Sequence, residues 1–304
     1  MQTSRRSILK GSILASLAGT MGATAMSASA AEKQAALPKK EYDLVICGLG
    51  IGGIVTAIRA AQDGLKPVIL EKMSSASGNT IYSAGFMLGV NTKMQQEKKL
   101  ETGDTVDKFY EDMMKVSQGR GDPKLTRLVA EKADETLNWL HDYVGVKYAV
   151  GMKLVWPMLQ RAHLTIGEKK PGGTQLMLYL LAKAKELNVP IVYNAKAVEL
   201  LDNPQNGKVI GVKVKSKEGF EEYFGKYGVV MATGGFSANK MLLTMMAGVP
   251  AANMPVRGSH SVTGESILLT GPYFPKVVNV DLNPELIVAR RHVGIRGYAV
   301  GAAV

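Results

Sequence analysis

A fold of the α/β class with a largely parallel sheet is predicted by three features of the sequence. Short apolar, β-branched runs at residues 42–47, 67–70 and 228–232 have the character of strands buried on both faces. Stretches with a helical repeat of apolar residues, at 54–62, 124–143 and 174–187, alternate with them. Glycine clusters stand at strand ends, from Gly48 to Gly53 and at Gly234-Gly235.

Taken in chain order, residues 31–40 form a polar, Pro-containing linker before the first strand. In the helix at 54–62, Ile54, Ala57, Ile58 and Ala61 share one face, and Gly64 suits its stop. A helix is predicted over 105–117 with Asp104 as its cap. Another over 124–143 carries Leu125, Leu128, Val129, Ala133, Leu137 and Leu140 at helical intervals, with Asp122-Pro123 as its start signal. Residues 150–173, with Pro157, Gly167 and Pro171-Gly172-Gly173, read as loop. A strand at 189–193 follows the 174–187 helix. Alternating strands at 198–201, 208–216 and 221–224, parted by Asn206-Gly207 and Glu218-Gly219, then make a β meander over about 195–226. The helical insertion spans about 100–173. Seven methionines (Met158, Met177, Met231, Met241, Met245, Met246, Met254) are read as adaptable core filling, and Tyr273 and Phe274 as packing residues.

With 46% hydrophobic and 21% charged residues in 304, the composition is that of a globular chain with a packed core. A net charge of +11 favours anionic substrates or an acidic redox partner, yet no stripe of Arg, Lys and aromatics points to nucleic acid. Three of those charges, Arg5, Arg6 and Lys10, lie in the first thirty residues, ahead of an apolar stretch from Ile13 to Met26 that ends in Ala28-Ser29-Ala30. Residues 1–30 are therefore read as a twin-arginine signal peptide, which directs the chain to the periplasm with a mature start near Ala31. That stretch is too short and too diluted for a stable membrane span. Cys47 is the only cysteine, placed inside an apolar strand, so a buried structural thiol is expected. One cysteine and four scattered histidines predict neither a disulfide, a c-type haem nor a metal site.

Gly48-Leu49-Gly50-Ile51-Gly52-Gly53 fits G-x-G-x-x-G, a weak signal in a chain with 33 glycines until its context is added. It follows a strand and opens a helix. The first glycine permits the tight turn, the second lets backbone approach a pyrophosphate, and the third lets helix and strand pack closely. The helix N-terminus offers N–H groups to the phosphates. Glu71 lies 21 residues after Gly50, at the end of the next strand, where a carboxylate can accept both ribose hydroxyls. The fold is thus Rossmann-like. Gly48, Gly50, Ile51, Gly52, Gly53 and Glu71 are candidate contacts to a dinucleotide, and the motif alone does not separate NAD from FAD.

The segments beyond this acid carry a resemblance. Glu71-Lys72, Ser77-Gly78-Asn79-Thr80 and Ser83-Ala84-Gly85 resemble the E-K, G-G-N and A-G-G segments of the fumarate reductase and succinate dehydrogenase flavoprotein family, with Ser77 in place of a glycine. Arg161-Ala162-His163 with Gly172-Gly173, then Ala232-Thr233-Gly234-Gly235-Phe236 with Asn239, match its later passages. Thr263-Gly264-Glu265-Ser266 stands where the family has T-G-D-G, and Val198 at the β position that covers the adenine. The likeness spans about residues 41–280 and is closest to periplasmic flavocytochrome-like fumarate and urocanate reductases. It implies FAD as cofactor, with Lys72, Gly78, Asn79, Thr80, Ala84, Gly85, Val198, Ala232, Thr233, Gly234 and Glu265 among its contacts. It also implies an FAD-binding domain over 41–265 and an oxidoreductase that moves a hydride from reduced flavin to a small unsaturated carboxylate. Electrons would come from a separate donor such as a c-type cytochrome.

The likeness thins towards the C-terminus. Gly271 to Val280 still fits the family's passage into its clamp domain, but after Asp281 its H-P-T, G-x-R-F, A-G-E and final G-G-N stretches have no counterpart. Residues 266–304 are accordingly expected to be a clamp-domain stub with an atypical tail, the fold being truncated before most of that domain. Arg290, Arg291, His292 and Arg296 are read as a solvated basic tail, and His163 as a hydrogen-bonded structural residue; His260 is left undecided. No catalytic acid is assigned. Two other readings stand beside the leading one: a truncated, non-catalytic flavin-binding remnant or one part of a split flavoenzyme, and an NAD-dependent dehydrogenase, which the motifs after Glu71 disfavour.

Overall fold

The computed structural model describes residues 37–100, 103–168 and 171–273. The signal peptide at 1–30, most of the linker, Phe274 and the basic cluster at 290–296 lie outside the described residues.

The chain begins with β1 (Lys39–Tyr42) and β2 (Leu44–Cys47), then the glycine loop, α1 (Ile51–Gln62) and β3 (Pro67–Leu70). Next come α2 (Asn79–Tyr82), β4 (Phe86–Leu88), α3 (Lys93–Glu97), α4 (Val106–Val116) and α5 (Pro123–Trp139), which continues into a π-helical turn at Leu140–Val144. β5 (Lys147–Ala149), β6 (Ala162–Ile166), α6 (Gly173–Glu186) and β7 (Ile191–Val192) follow. β8 (Lys196–Asp202), β9 (Val209–Lys215), β10 (Phe220–Gly225) and β11 (Val229–Met231) complete the strands. α7 (Lys240–Ala247), α8 (Val249–Ala252) and α9 (Glu265–Thr270) come last, with a 3₁₀ turn at Gly271–Tyr273.

Among the described residues three sheets result: a parallel one ordered β11-β2-β3-β7, a four-stranded one ordered β1-β10-β9-β8, and an antiparallel one ordered β4-β6-β5. The parallel sheet is the centre of the molecule, and strand alternation explains why its strands are apolar throughout. Ile46 and Ile69 face one way, into a core with Ile54, Ile58, Leu176 and Leu180 of α1 and α6. Val45, Cys47, Val68 and Leu70 face the other way, against Leu200, Val212, Val214 and Tyr223 of the β1-β10-β9-β8 sheet. A strand covered on both sides has no polar alternation to show. Each of these side chains, fully withdrawn from water, contributes roughly 1.5–3 kcal/mol.

Several expectations are revised. Lys39 and Lys40 belong to β1, which pairs in parallel with β10 in the register Lys39↔Glu222 and Lys40↔Tyr223, rather than to a linker. The three antiparallel strands of the meander stand as expected, and β1 makes their sheet four-stranded. The Lys40 ammonium holds the new strand in place by donating to Glu221 Oε1 at 3.0 Å and to Tyr223 Oη at 3.1 Å. The first helix starts at Ile51, three residues earlier than its apolar face indicates, because the loop glycines themselves form its first turn. Part of 150–173 is strand: β6 pairs with both β4 and β5. Its side chains include buried His163 and Thr165, so the polar sequence conceals a core strand. Asp104 is not the cap of α4; Thr105 Oγ1 accepts from Lys108 N at 3.1 Å in that role. Of the methionines, Met158 and Met177 are buried as core filling, whereas Met241, Met245 and Met254 are exposed.

No helix among the described residues is long and apolar enough to cross a membrane. Among them there is also no group of three or more His, Cys, Asp or Glu side chains placed to hold a metal ion.

Ile69→Ala is expected to cost about 2–5 kcal/mol in urea unfolding with an unchanged slope. A loss under about 1 kcal/mol would contradict close packing on that face.

Candidate functional site

The C-terminal ends of β2, β3 and β11 open onto one crevice, and the glycine loop forms its floor. The glycines there divide into two kinds. Gly48 has φ +109°, and a side chain on it would strike the Ala232 carbonyl. One on Gly53 would strike the Gly48 carbonyl. These two are needed for packing. A Cβ on Gly50 meets only Thr80 Oγ1 at 3.7 Å, and one on Gly52 meets nothing within 4 Å. Protein atoms therefore leave room beside the backbone of these two glycines, the room that a dinucleotide-binding loop gives a pyrophosphate. Gly50 gives α1 no side-chain cap, and no acid lies in the helix's first turn. That leaves the positive end of the helix for an anion.

Glu71 is buried beneath this loop. Its Oε2 accepts from Leu49 N at 2.8 Å and its Oε1 from Met73 N at 2.9 Å. The carboxylate fixes the loop's conformation, and each oxygen keeps a second lone pair for a ribose hydroxyl. Lys72, next in sequence, points into a second cluster. Its ammonium donates to Glu265 Oε1 at 2.6 Å and to Thr263 Oγ1 at 2.8 Å. Thr263 Oγ1 also donates to Glu265 Oε1 at 2.6 Å. Burial pushes the Glu265 carboxyl up, but the bonds from Lys72 and Thr263 outweigh it and hold the group below the ordinary glutamate range. Glu265 Oε2 is closed to solvent and has no hydrogen-bond partner in the protein.

The segment from Ser77 to Gly85 lies over the glycine loop and is clamped from two sides. Thr80 Oγ1 accepts from Ile51 N at 3.0 Å, which leaves its hydroxyl proton to donate. A Cβ on Gly78 would lie 4.0 Å from Gly50 Cα. Asn79 Oδ1 accepts from Ser259 N at 2.8 Å, so this side chain ties the segment to the 258–261 loop while its amide N–H₂ remains a donor. On the other side Gly173 N donates to Ser83 O at 3.0 Å, and a Cβ on Gly85, with φ +74°, would strike Gly172. Ala84 O lies 3.0 Å from where a Gly172 Cβ would sit. Thr233 Oγ1, beyond the end of β11, meets Ser266 Oγ at 2.6 Å and accepts from Ser266 N at 3.0 Å; Gly234 stands exposed at the crevice. Val198 is half-buried at a bulge of β8 between Ala197 and Glu199. The chain just before it bonds alongside Glu71 and Met73, through Ala195 N to Glu71 O at 2.8 Å and Asn194 N to Met73 O at 3.0 Å.

The structure thus gathers the glycine loop, Glu71, Lys72, Gly78–Thr80, Thr233 and Glu265 at one sheet edge. Gly172, Gly173, Ser259, Ser261 and Thr263 complete the surroundings. Of these, only the Gly-Gly pair and the Thr two residues before Glu265 have a signal in the sequence.

Arg161 and His163 serve the scaffold instead. The Arg161 guanidinium pairs with Asp104 at 2.5 and 2.8 Å and with Asp112 at 2.8 Å, and stacks over Phe109. His163 Nδ1 donates to the Arg161 carbonyl at 2.8 Å, so Nε2 accepts from Thr92 Oγ1 at 2.7 Å. Burial lowers its pKa, so the ring is neutral. Burial likewise pushes the Cys47 thiol up to about 12, leaving it inert. His260 is exposed.

Gly53→Ala is expected to cost about 1–3 kcal/mol, whereas Gly52→Ala leaves stability within about 0.5 kcal/mol; chemical denaturation of both variants checks the contrast. Glu265→Gln should lose roughly 1–2 kcal/mol at pH 7. Because the folded carboxyl is depressed, its stabilisation is present above the ordinary glutamate pKa and disappears as pH falls through the folded value. Melting curves of the two proteins should therefore converge in strong acid, and a constant gap at all pH would refute the ion-pair account.

Comparison with known proteins agrees with this geometry. Residues 43–270 match the FAD binding domain family. A probable fumarate reductase of Shewanella frigidimarina is 27% identical over 247 residues, covering 81% of this chain and 41% of the relative. A urocanate reductase of Eggerthella lenta is 32% identical over 207 residues, covering 66% and 32%. The open conformation of a flavocytochrome c3 fumarate reductase superposes with a TM-score of 0.71 at 24% identity, over 89% of this chain and 43% of that one, and shows the shared fold. The chain therefore spans about a third to two fifths of the length of these curated relatives. With its glycine cradle, its buried acid and the match over 43–270, the chain belongs to the FAD-binding family of the fumarate reductase and succinate dehydrogenase flavoproteins, and its cofactor is FAD.

Proposed function

We propose that the chain forms the cofactor site of a flavin-dependent reductase acting on the activated double bond of a small unsaturated carboxylate. The observation that carries this reading is the backbone cradle at Gly50 and Gly52, open beside a buried Glu71 and roofed by the Ser77–Gly85 segment. The names of the fumarate and urocanate reductases among its relatives support the substrate class. When bound, the flavin supplies the hydride. The residues of this chain hold and orient it: amides at Gly50 and Gly52 and the α1 N-terminus receive the phosphates. Glu71 accepts the ribose hydroxyls, and the Lys72–Glu265 pair fixes the far wall. Among the described residues neither His163, neutral and buried, nor Arg161, ion-paired, is offered to a substrate.

The periplasm is the proposed location, from the Arg5-Arg6 signal, and a separate carrier such as a c-type cytochrome is the proposed electron donor. Material recovered from the periplasm is expected to begin near Ala31 on N-terminal sequencing; a start at Met1 would contradict export with cleavage.

The purified chain is expected to show a flavin spectrum, and reduced methyl viologen to be oxidised when fumarate or urocanate is added. Flavin without turnover would favour the alternative of a flavin-binding remnant or one part of a split enzyme. A colourless chain indifferent to added FAD would sink the proposal.

A further inference from the structure

The strands of the parallel sheet stand in the order β11-β2-β3-β7, and their tips lay the cofactor site out along one line. The glycine loop leaves the tip of β2 and receives the phosphates; Glu71, at the tip of β3, accepts the ribose hydroxyls. In adenosine the base is joined directly to that ribose. Continued in the same direction, from phosphates to ribose, the molecule brings its base to the tip of β7. The residue that stands there is Tyr193.

Its place is fixed by the backbone. β3 and β7 run in the register Ile69↔Ile191 and Leu70↔Val192. Glu71 N donates to Val192 O at 2.9 Å, which carries the register one step further and sets Tyr193 opposite Glu71. Ile69 and Ile191 pack on the α1 side of the sheet, Leu70 and Val192 on the other, so alternation turns Glu71 and Tyr193 to the α1 side together. The two side chains lie near enough to interact: burial, and then the Glu71 charge, push the Tyr193 phenol above its ordinary pKa. Asn194, at φ 55°, turns the chain immediately afterwards, and the turn is tied down by Asn194 N to Met73 O at 3.0 Å and Ala195 N to Glu71 O at 2.8 Å.

Tyr193 thus stands on a fixed corner, yet 36% of it is exposed. An aromatic ring held in place beside the ribose acid and open to solvent offers a flat apolar face, the surface on which a base stacks. We propose that the Tyr193 ring stacks on the adenine of FAD and bounds the base end of the crevice. The proposal rests on the assignment of FAD to this crevice and adds a binding residue to it.

Binding of FAD, ADP and adenosine to the full chain, stripped of cofactor, is measured by calorimetry for wild type, Tyr193→Leu and Tyr193→Phe, with melting temperatures of the three apoproteins. Tyr193→Leu is expected to weaken all three ligands by the same factor, about tenfold, as for a lost stacking contact. Tyr193→Phe, which keeps the ring, should stay within about twofold of wild type. The apoproteins should melt together, because the substituted side chain is exposed. Unchanged affinities in Tyr193→Leu would overturn the proposal. So would a loss confined to FAD and ADP, which would place the effect at the phosphates, or a loss as large in Tyr193→Phe, which would assign it to the hydroxyl. A melting temperature that falls in step with affinity would make the residue structural and overturn it too. Failure of the wild-type chain itself to bind FAD would instead overturn the cofactor assignment beneath it.

Discussion

Where α1 leaves the tip of β2, only hydrogen fits at Gly53, against the Gly48 carbonyl, and at Gly48 itself, against the Ala232 carbonyl just beyond β11. That contact sets the helix axis, and the helix axis aims its N-terminal amides. Everything else in the crevice refers to it. Glu71 secures the loop from below through Leu49 N, and Thr80 secures the first helical residue from above through Ile51 N. Packing and phosphate recognition are thus one constraint, written in glycines of opposite character: two with no room, two with room to spare.

A second layer of organisation comes from segments far apart in sequence that meet over the loop. The Ser77–Gly85 stretch is held by Gly172-Gly173 on one side and by the 258–261 loop on the other. The Lys72–Glu265 pair closes the same seam at 2.6 Å. Short range in sequence explains the floor of the crevice; long range explains its roof. The buried Arg161 network belongs to a third task, that of attaching α4 to the antiparallel β4-β6-β5 sheet through Asp104 and Asp112.

The floor was legible in the sequence because local rules govern it. Residues 67–70 are β3 to the residue, and the glycine loop, the helix and Glu71 follow the spacing that a dinucleotide imposes. The roof was legible only by resemblance, since nothing in Ser77-Gly78-Asn79-Thr80 announces which backbone it will cover. Other features were hidden for identifiable reasons. β6 carries a buried Thr and a buried His, the latter bonded to Thr92 from another element, so its pattern looks like loop. β1 is lysine-rich because it lies at a sheet edge, where charge is tolerated and even useful. Met241 and Met245 keep helical spacing without being buried, as periodicity reports a face and not what covers it.

The edge strand β1 has a consequence for how the molecule is made. Lys40 finds Tyr223 at a separation of 183 positions, and β2 must likewise await β11. Such distant pairings are slow to form, because the intervening chain must be ordered first. During synthesis β1 emerges long before β10, and β2 long before β11. The tips of β2 and β11 therefore come together only in a polypeptide already extended well past its two-hundredth residue.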